Sequence, residues 1–198
     1  MSIREVITEQ INDSIDTKKR IIESEELLKI IESASDEIIK CYKGGHTLLL
    51  CGNGGSAGDA QHIAGEMVAR FRIERKALSA IAFNTNSSVV TAIGNDYEYN
   101  KIFERQVEAF GHEGDVLIAI STSGGSESVV RAINKAKEMN IKTVSLLGKD
   151  GGACKSISDY AIVVPSDDTP RIQESHIMVG HIICDIVERS LFGDLKDC

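Results

Sequence analysis

The stretch that decides the fold is Leu48-Leu-Leu-Cys-Gly-Asn-Gly-Gly-Ser-Ala-Gly-Asp-Ala-Gln-His-Ile-Ala-Gly-Glu66. A short apolar run leads into a glycine-rich loop, and a helical pattern follows. This is the order in which α/β proteins present backbone N–H groups to an anion. His62 and Glu66 fall on one face of the predicted helix, where they can bind a metal or act as acid and base. The alternative is an ordinary surface pair.

Five apolar runs along the chain predict buried strands. They are rich in Val, Ile and Leu and do not alternate between apolar and polar residues, which is typical of strands covered on both faces. The predicted strands are Thr47–Cys51, Leu78–Phe83, Val116–Ser121, Thr143–Leu147 and Tyr160–Val164. Helical patterns lie near 56–71, 86–94, 100–110, 126–140 and 153–157, and a last one runs from Pro170 to about Phe192. We therefore predict a doubly wound α/β fold with a five-stranded, mostly parallel sheet flanked by helices.

The N-terminal residues, from 2 to about 43, are predicted to be helical. Ser2 and Glu5 fit a capping box, and the pattern stops at Gly44-Gly45. We expect a single domain over 1–198, with 1–44 as an N-terminal helical segment. The first helix is polar over most of its surface, so it either exposes a solvated face or packs against another subunit.

Composition and charge narrow the expected partners and location of this protein. The net charge of −8 argues against nucleic acid and anionic membrane surfaces as partners. The five cysteines are scattered without a C-x-x-C pair, which is typical of reduced thiols. No signal peptide is evident, and no apolar run approaches the roughly 20 residues needed to cross a bilayer. We expect a cytoplasmic location.

A second loop, Ser121-Thr-Ser-Gly-Gly-Ser126, follows the third predicted strand. Its hydroxyls, free backbone N–H groups and the start of a helix suit a phosphate monoester. No Lys or Arg lies within 119–130, so the donors would be neutral. The alternative is a turn that merely caps the helix near Ser126.

Other nucleotide motifs are weak or missing. Gly52-x-Gly54-x-x-Ala57 matches a relaxed dinucleotide fingerprint, but Asn84 stands where that fingerprint needs an acid. The sequence has no G-K-[ST], which excludes a P-loop. Cys51 is interpreted as a small buried residue rather than a nucleophile.

The last predicted helix carries Gln173 and His181, roughly 80° apart around its axis. The helix is otherwise mainly apolar. His181 is therefore either a satisfied core histidine or a second functional histidine.

Taken together, the motifs resemble a known family. Cys51–Ala57 and Ser121–Ser126 look like the phosphosugar loops of the sugar isomerase (SIS) domain. Three further runs point to a more specific family within the SIS domains, because they resemble the phosphoheptose isomerases: Ala60–Glu66, Gly94–Asp96 and Asp168–His176. The resemblance covers essentially the whole chain.

This resemblance implies isomerisation of sedoheptulose 7-phosphate to D-glycero-D-manno-heptose 7-phosphate, an early step toward bacterial lipopolysaccharide or another surface glycan. It also implies a homotetramer with active sites between subunits. Glu66 and His181 would be the acid–base pair, and zinc would bind His62, Glu66, Gln173 and His181. The residues implied to hold phosphate and sugar are Asn53, Gly54, Gly55, Glu66, Asn95, Asp96, Ser121, Thr122, Ser123, Ser126 and Gln173. Arg70 would reach substrate or orient Glu66.

Two alternatives remain open at this point. Other SIS domains are non-catalytic regulators that bind a sugar phosphate or the replication initiator, although those that bind the initiator lack the Glu66 and His181 pair. A third interpretation is an isomerase for a sugar phosphate of five or six carbons, because pocket depth decides that choice.

Overall fold

Strands and helices alternate along the chain in the computed structural model, which describes residues 1–193 and 195. The strands are β1 Leu48–Gly52, β2 Ala80–Ala82, β3 Val116–Ser121, β4 Lys142–Leu147 and β5 Tyr160–Val163. The helices are α1 Ile3–Ile22, α2 Glu25–Lys43, α3 Gly55–Val68, α4 Ser87–Asp96, α5 Glu104–Phe110, α6 Glu127–Glu138, α7 Gly152–Ile157 and α8 Thr169–Phe192, with a 3-10 helix at Tyr99–Lys101. Among them, no helix has the length and apolar character that a membrane span requires.

The strands form one five-stranded sheet in the order β2-β1-β3-β4-β5, and every pairing is parallel. The predicted doubly wound α/β fold is confirmed. Because β1 lies between β2 and β3, the winding direction reverses there. Ligands of such sheets bind at this switch point, beyond the carboxyl ends of the strands.

Alternate residues of the central strands enter two separate cores. Leu48 and Leu50 of β1 pack with α2, α3 and α8 on one face of the sheet. Leu49 and Cys51 pack on the other face, mainly with α5 and α6. Both faces of the central strands are thus covered, which explains their continuous apolar sequences.

Three predicted boundaries are wrong. Strand β2 covers Ala80–Ala82 and not 78–83. It begins later than predicted because the Leu78 N–H donates to the Met67 carbonyl of α3 and not to the sheet. Helix α3 ends at Val68 rather than 71, and residues 69–79 form a loop. The helix predicted over 100–110 is split into the 3-10 helix and α5.

The N-terminal helices differ in how deeply they are buried. The capping box of Ser2 and Glu5 is present, as predicted. Helix α2 buries a broad apolar face, whereas α1 buries only Thr17 and Ile21. The polar surface predicted for α1 is interrupted by an exposed apolar row of Ile3, Val6, Ile7, Ile11 and Ile15.

The four cysteines among the described residues, Cys41, Cys51, Cys154 and Cys184, are buried and free. Cys198 lies outside the described residues. Burial raises the pKa of the Cys51 thiol, and Cys154 raises it further. A thiol held protonated in this way is a poor nucleophile, as expected for a packing residue.

Buried His176 makes the fold sensitive to mild acid. Its Nε2 lies 2.9 Å from the Leu147 carbonyl oxygen, and burial lowers its pKa to about 4. Between pH 6.5 and pH 4 the unfolded imidazole binds a proton and the folded one does not, so falling pH destabilises the fold. We expect this to remove about 3 kcal/mol of the free energy of unfolding over that interval, measured by urea denaturation.

The matched variant is His176→Gln, which keeps a donor for Leu147 but does not titrate. Its unfolding free energy should depend less steeply on pH over the same interval. Identical pH slopes for the two proteins would contradict the assignment.

Candidate active site

The loops that follow β1 and β3 meet at the switch point. Asn53 donates from Nδ2 to Ser128 Oγ of α6 at 2.9 Å, and its Oδ1 accepts from the Tyr99 hydroxyl at 2.8 Å. Gly54 and Gly55 beside it are exposed. Sequence reasoning found Asn53 but missed Tyr99 and Ser128, because neither lies within a glycine-rich motif.

The Ser121–Ser126 loop carries its hydroxyls into the start of α6. The buried Ser121 hydroxyl donates to Ser126 Oγ at 3.2 Å and accepts the Gly124 N–H at 3.1 Å. Ser126 occupies the N-cap position of α6, yet its side chain makes no capping hydrogen bond. The Ser126 side chain therefore does not cap α6, and the start of a helix is a place where an anion can bind backbone N–H groups.

Contact with the loop after β4 fixes the shape of the Ser121–Ser126 loop. Gly124 has a φ of +63°, and a Cβ there would overlap the Gly151 carbonyl. Its own carbonyl oxygen accepts the Cys154 N–H at 2.9 Å. The two loops thus approach at a distance that only glycine allows.

Helices α3 and α8 lie side by side on one face of the sheet. The Gln173 amide covers Gly55, and a Cβ at Gly180 would come within 2.7 Å of Ile63 Cδ1. These contacts occur in the same order along both helices, so the two helices run in the same direction. The missing side chain at Gly180 lets α8 approach α3 closely, next to His181.

This approach brings three predicted site residues together within one chain. His62 Nε2 lies 3.1 Å from Glu66 Oε1 and 3.1 Å from His181 Nε2. The His62 and Glu66 side chains remain 48% and 26% exposed, so a ligand can reach them. His181 is only partly buried and contacts His62, which rules out a satisfied core histidine.

These three side chains, which we call the His–Glu–His group, suit a zinc ion. One ligand atom from each residue lies within 4.8 Å of the others. Two imidazole nitrogens and a carboxylate oxygen are a donor set that zinc accepts, with further positions left for other ligands. Gln173, the fourth predicted ligand, precedes His181 on α8 and contacts Gly55.

Phe71 is a site neighbour that the sequence did not reveal. Its ring stacks on His181 with centroids 5.6 Å apart and an interplanar angle of 27°. The guanidinium of Arg72 also lies over the Phe71 ring, 5.3 Å from its centroid. The sequence placed residue 71 at the end of a helix. In the structure Phe71 belongs to the loop after α3, and its ring contacts His181 of α8.

Three further predicted residues, Asn95, Asp96 and Arg70, have exposed side chains. Asn95 and Asp96 are exposed at the end of α4, where Asn95 Nδ2 donates to Asp96 Oδ1 at 2.8 Å. Within the described part of the chain, no hydrogen bond joins them to the other predicted site residues. Arg70 is exposed and pairs with Glu74 at 3.5 Å.

Comparison with known proteins identifies the family. The model of the SIS domain matches residues 10–148. A phosphoheptose isomerase of Clostridium acetobutylicum is 56% identical to this chain, covering 98% of this chain and 100% of the relative. The chain belongs to the phosphoheptose isomerase family. A second member of that family, from Sulfurimonas denitrificans, is 50% identical over 97% of this chain and 98% of its own length.

A solved phosphoheptose isomerase from Francisella tularensis has the same architecture. It superposes with a TM-score of 0.91 at 35% identity, covering 96% of this chain and all of the solved chain. The family relationship therefore spans the N-terminal helices, both loops at the switch point, and the helices α3 and α8 that carry the His–Glu–His group.

Proposed function

We propose that this chain converts D-sedoheptulose 7-phosphate to D-glycero-D-manno-heptose 7-phosphate through an enediol. The observation that carries the proposal is that His62, Glu66 and His181 come together. They lie on α3 and α8, and the loops after β1 and β3 have sequences suited to binding an anion. Similarity to named phosphoheptose isomerases over nearly the whole chain supports the choice of substrate.

Glu66 and His181 are proposed to move the protons. The isomerisation takes one proton from C1 to C2 and exchanges protons between the oxygens on those carbons. Glu66 removes the C1 proton and returns it to C2, while His181 donates to O2 and accepts from O1, or the reverse in the other direction. His62 lies 3.1 Å from both side chains, which supports placing the two proton-transfer groups on the same side of the substrate.

The phosphate is proposed to bind the Ser121–Ser126 loop. Its hydroxyls are neutral hydrogen-bond donors, and the dipole at the N-terminus of α6 favours negative charge. This local attraction is needed because the net charge of the whole chain is −8, which disfavours a dianion. The proposed phosphate contacts are Ser121, Thr122, Ser123 and Ser126, and the proposed sugar contacts are Asn53, Gly54, Gly55, Asn95, Asp96 and Gln173.

Zinc is the proposed cofactor, one per subunit, with His62, Glu66, Gln173 and His181 as ligands. When bound there, zinc would polarise the substrate carbonyl and stabilise the developing enediolate. Glu66 serves as base only through a lone pair that coordination leaves free. The amide of Gln173 is the weakest donor of the four.

A homotetramer with active sites between subunits is the proposed assembly. The exposed isoleucines of α1 support it, because Ile3, Ile7 and Ile11 are each more than half exposed to solvent. An apolar groove between α1, α2 and α8 adds Leu28 and Ile182 to the same surface. Apolar surfaces of this kind mark interfaces between proteins.

We further infer a single SIS domain over 1–198, with 1–44 as its N-terminal helical segment, in a cytoplasmic enzyme that supplies heptose for lipopolysaccharide or capsule. Neither nucleic acid nor membrane is proposed as a partner. A non-catalytic regulator is the weaker alternative, since it would have no use for an acid–base group.

The test is incubation of the pure protein with sedoheptulose 7-phosphate, with and without a chelator. We expect the aldose product to form, the chelator to stop its formation, and added zinc to restore it. Ribose 5-phosphate and fructose 6-phosphate serve as controls for shorter substrates. Absence of turnover would favour the regulator, faster turnover of a control would change the substrate, and a rate unaffected by the chelator would refute catalytic zinc.

A further inference from the structure

A buried ion pair lies just beyond the His–Glu–His group. Arg75 Nε and Glu188 Oε1 are 2.9 Å apart, and their side chains are 1% and 2% exposed. Glu188 follows His181 by about two turns of α8, and Arg75 belongs to the loop that follows α3. The pair therefore connects the two helices that carry the group.

Glu188 organises the backbone of this loop. Its carboxylate accepts the consecutive N–H groups of Phe71, Arg72 and Ile73 in addition to the Arg75 guanidinium. Burial by itself would raise the pKa of Glu188, but these donors hold the pKa below its usual value. The carboxylate is thus charged and satisfied, and it fixes the segment that carries Phe71.

Arg75 organises the end of α3. It donates to the carbonyl oxygens of Glu66 at 2.9 Å, Met67 at 2.8 Å and Lys76 at 3.0 Å. The last carbonyls of a helix have no partner within the helix, so the guanidinium takes the place of a further turn. One of these carbonyls belongs to Glu66 itself.

We propose that Arg75 and Glu188 are positioning residues that hold the His62–Glu66 face of α3 in register with His181 on α8. Through the Phe71 backbone, the same pair sets the ring that stacks on His181. The proposal rests on the acid–base roles proposed for Glu66 and His181. Buried ion pairs are poor stabilisers compared with apolar packing, so their value here lies in geometry.

The experiment compares Glu188→Gln and Arg75→Lys with Asp115→Asn as the matched control. Asp115 is also a buried carboxylate that accepts two backbone N–H groups, from Thr47 and His112, both at 2.8 Å. It precedes β3, at the edge of the sheet opposite the loops. The control is therefore expected to lose stability through the same kind of change, at a carboxylate whose backbone donors, Thr47 and His112, lie outside α3 and α8.

Three properties are measured well below each variant's melting temperature: kcat and KM for sedoheptulose 7-phosphate, affinity for Co²⁺ from its visible absorption, and the imidazole ¹⁵N resonances of His62 and His181. We expect Glu188→Gln to lower kcat at least tenfold with KM changed less than threefold. We also expect it to weaken Co²⁺ binding at least tenfold and to shift both histidine resonances. Arg75→Lys should show smaller changes of the same kind, and it replaces Glu188→Gln if that variant does not fold.

The proposal is overturned if Glu188→Gln matches Asp115→Asn in all three properties, or if Asp115→Asn loses as much kcat and Co²⁺ affinity. If the wild-type protein does not isomerise the sugar, the proposed function fails on its own. The Co²⁺ affinities and histidine resonances then decide the positioning role. If the wild-type protein does not bind Co²⁺, kcat and the resonances decide it.

Discussion

Glu66→Gln is expected to lower kcat for sedoheptulose 7-phosphate by about 10³-fold, because an amide of the same shape cannot take the proton from carbon. The fold should survive, since the Glu66 side chain is 26% exposed and its hydrogen-bond partner, His62, is 48% exposed. Phosphate binding should survive as well, because the Ser121–Ser126 loop joins β3 to α6, whereas Glu66 lies on α3. Steady-state kinetics and a thermal shift with inorganic phosphate measure the two effects separately.

The control for this variant is Glu138→Gln, the same change at an exposed carboxylate of α6 that pairs with Lys135. It should keep wild-type turnover. A Glu66→Gln enzyme with near-normal kcat would remove Glu66 from its role as base. Loss of the phosphate-induced thermal shift would mean that Glu66 contributes to binding and not only to proton transfer.

Gly124→Ala is expected to have the largest effect on stability. Alanine at a φ of +63° is strained, and its Cβ would overlap the Gly151 carbonyl, a backbone atom that cannot move aside as a side chain does. We expect the free energy of unfolding to fall by about 3 kcal/mol and KM for the sugar phosphate to rise at least tenfold, because the Ser121–Ser126 loop must shift. Urea denaturation and steady-state kinetics measure these changes.

Gly125→Ala is the matched control in the same loop. Among the described residues, a Cβ at Gly125 would meet only Ser123 Oγ, at 3.8 Å, and Gly125 does not have a left-handed backbone. Its unfolding free energy should stay within about 1 kcal/mol of the wild type. Equal stability of the Gly124→Ala and Gly125→Ala variants would show that the close approach of the two loops does not constrain the fold.

The stretch from Leu48 to Glu66 could be interpreted from the sequence because its signals are local. An apolar run, a glycine loop and a helical spacing each depend on neighbouring residues, so β1, the loop and the shared face of His62 and Glu66 were all predicted. The place of His181 near that face followed from the family resemblance and not from the residues alone.

The end of α3 could not be predicted in the same way. Its boundary depends on Arg75 and Glu188, which are 113 positions apart and meet only in the folded chain. Local propensity extends the helix to residue 71, whereas the tertiary contacts end it at Val68. Tyr99 was missed for a similar reason, since its contact with Asn53 spans 46 positions.

The separation of His62 from His181, 119 positions along the chain, also affects synthesis on the ribosome. All five strands emerge before α8, but α8 supplies Val179, Ile183 and Val187 to the core on one face of the sheet. The nascent chain therefore completes that core and brings His181 to His62 in the same step, once its last helix has been made. A chain released before α8 is expected to lack both a finished core and the His–Glu–His group, so the truncated product would not accumulate as a folded half-enzyme.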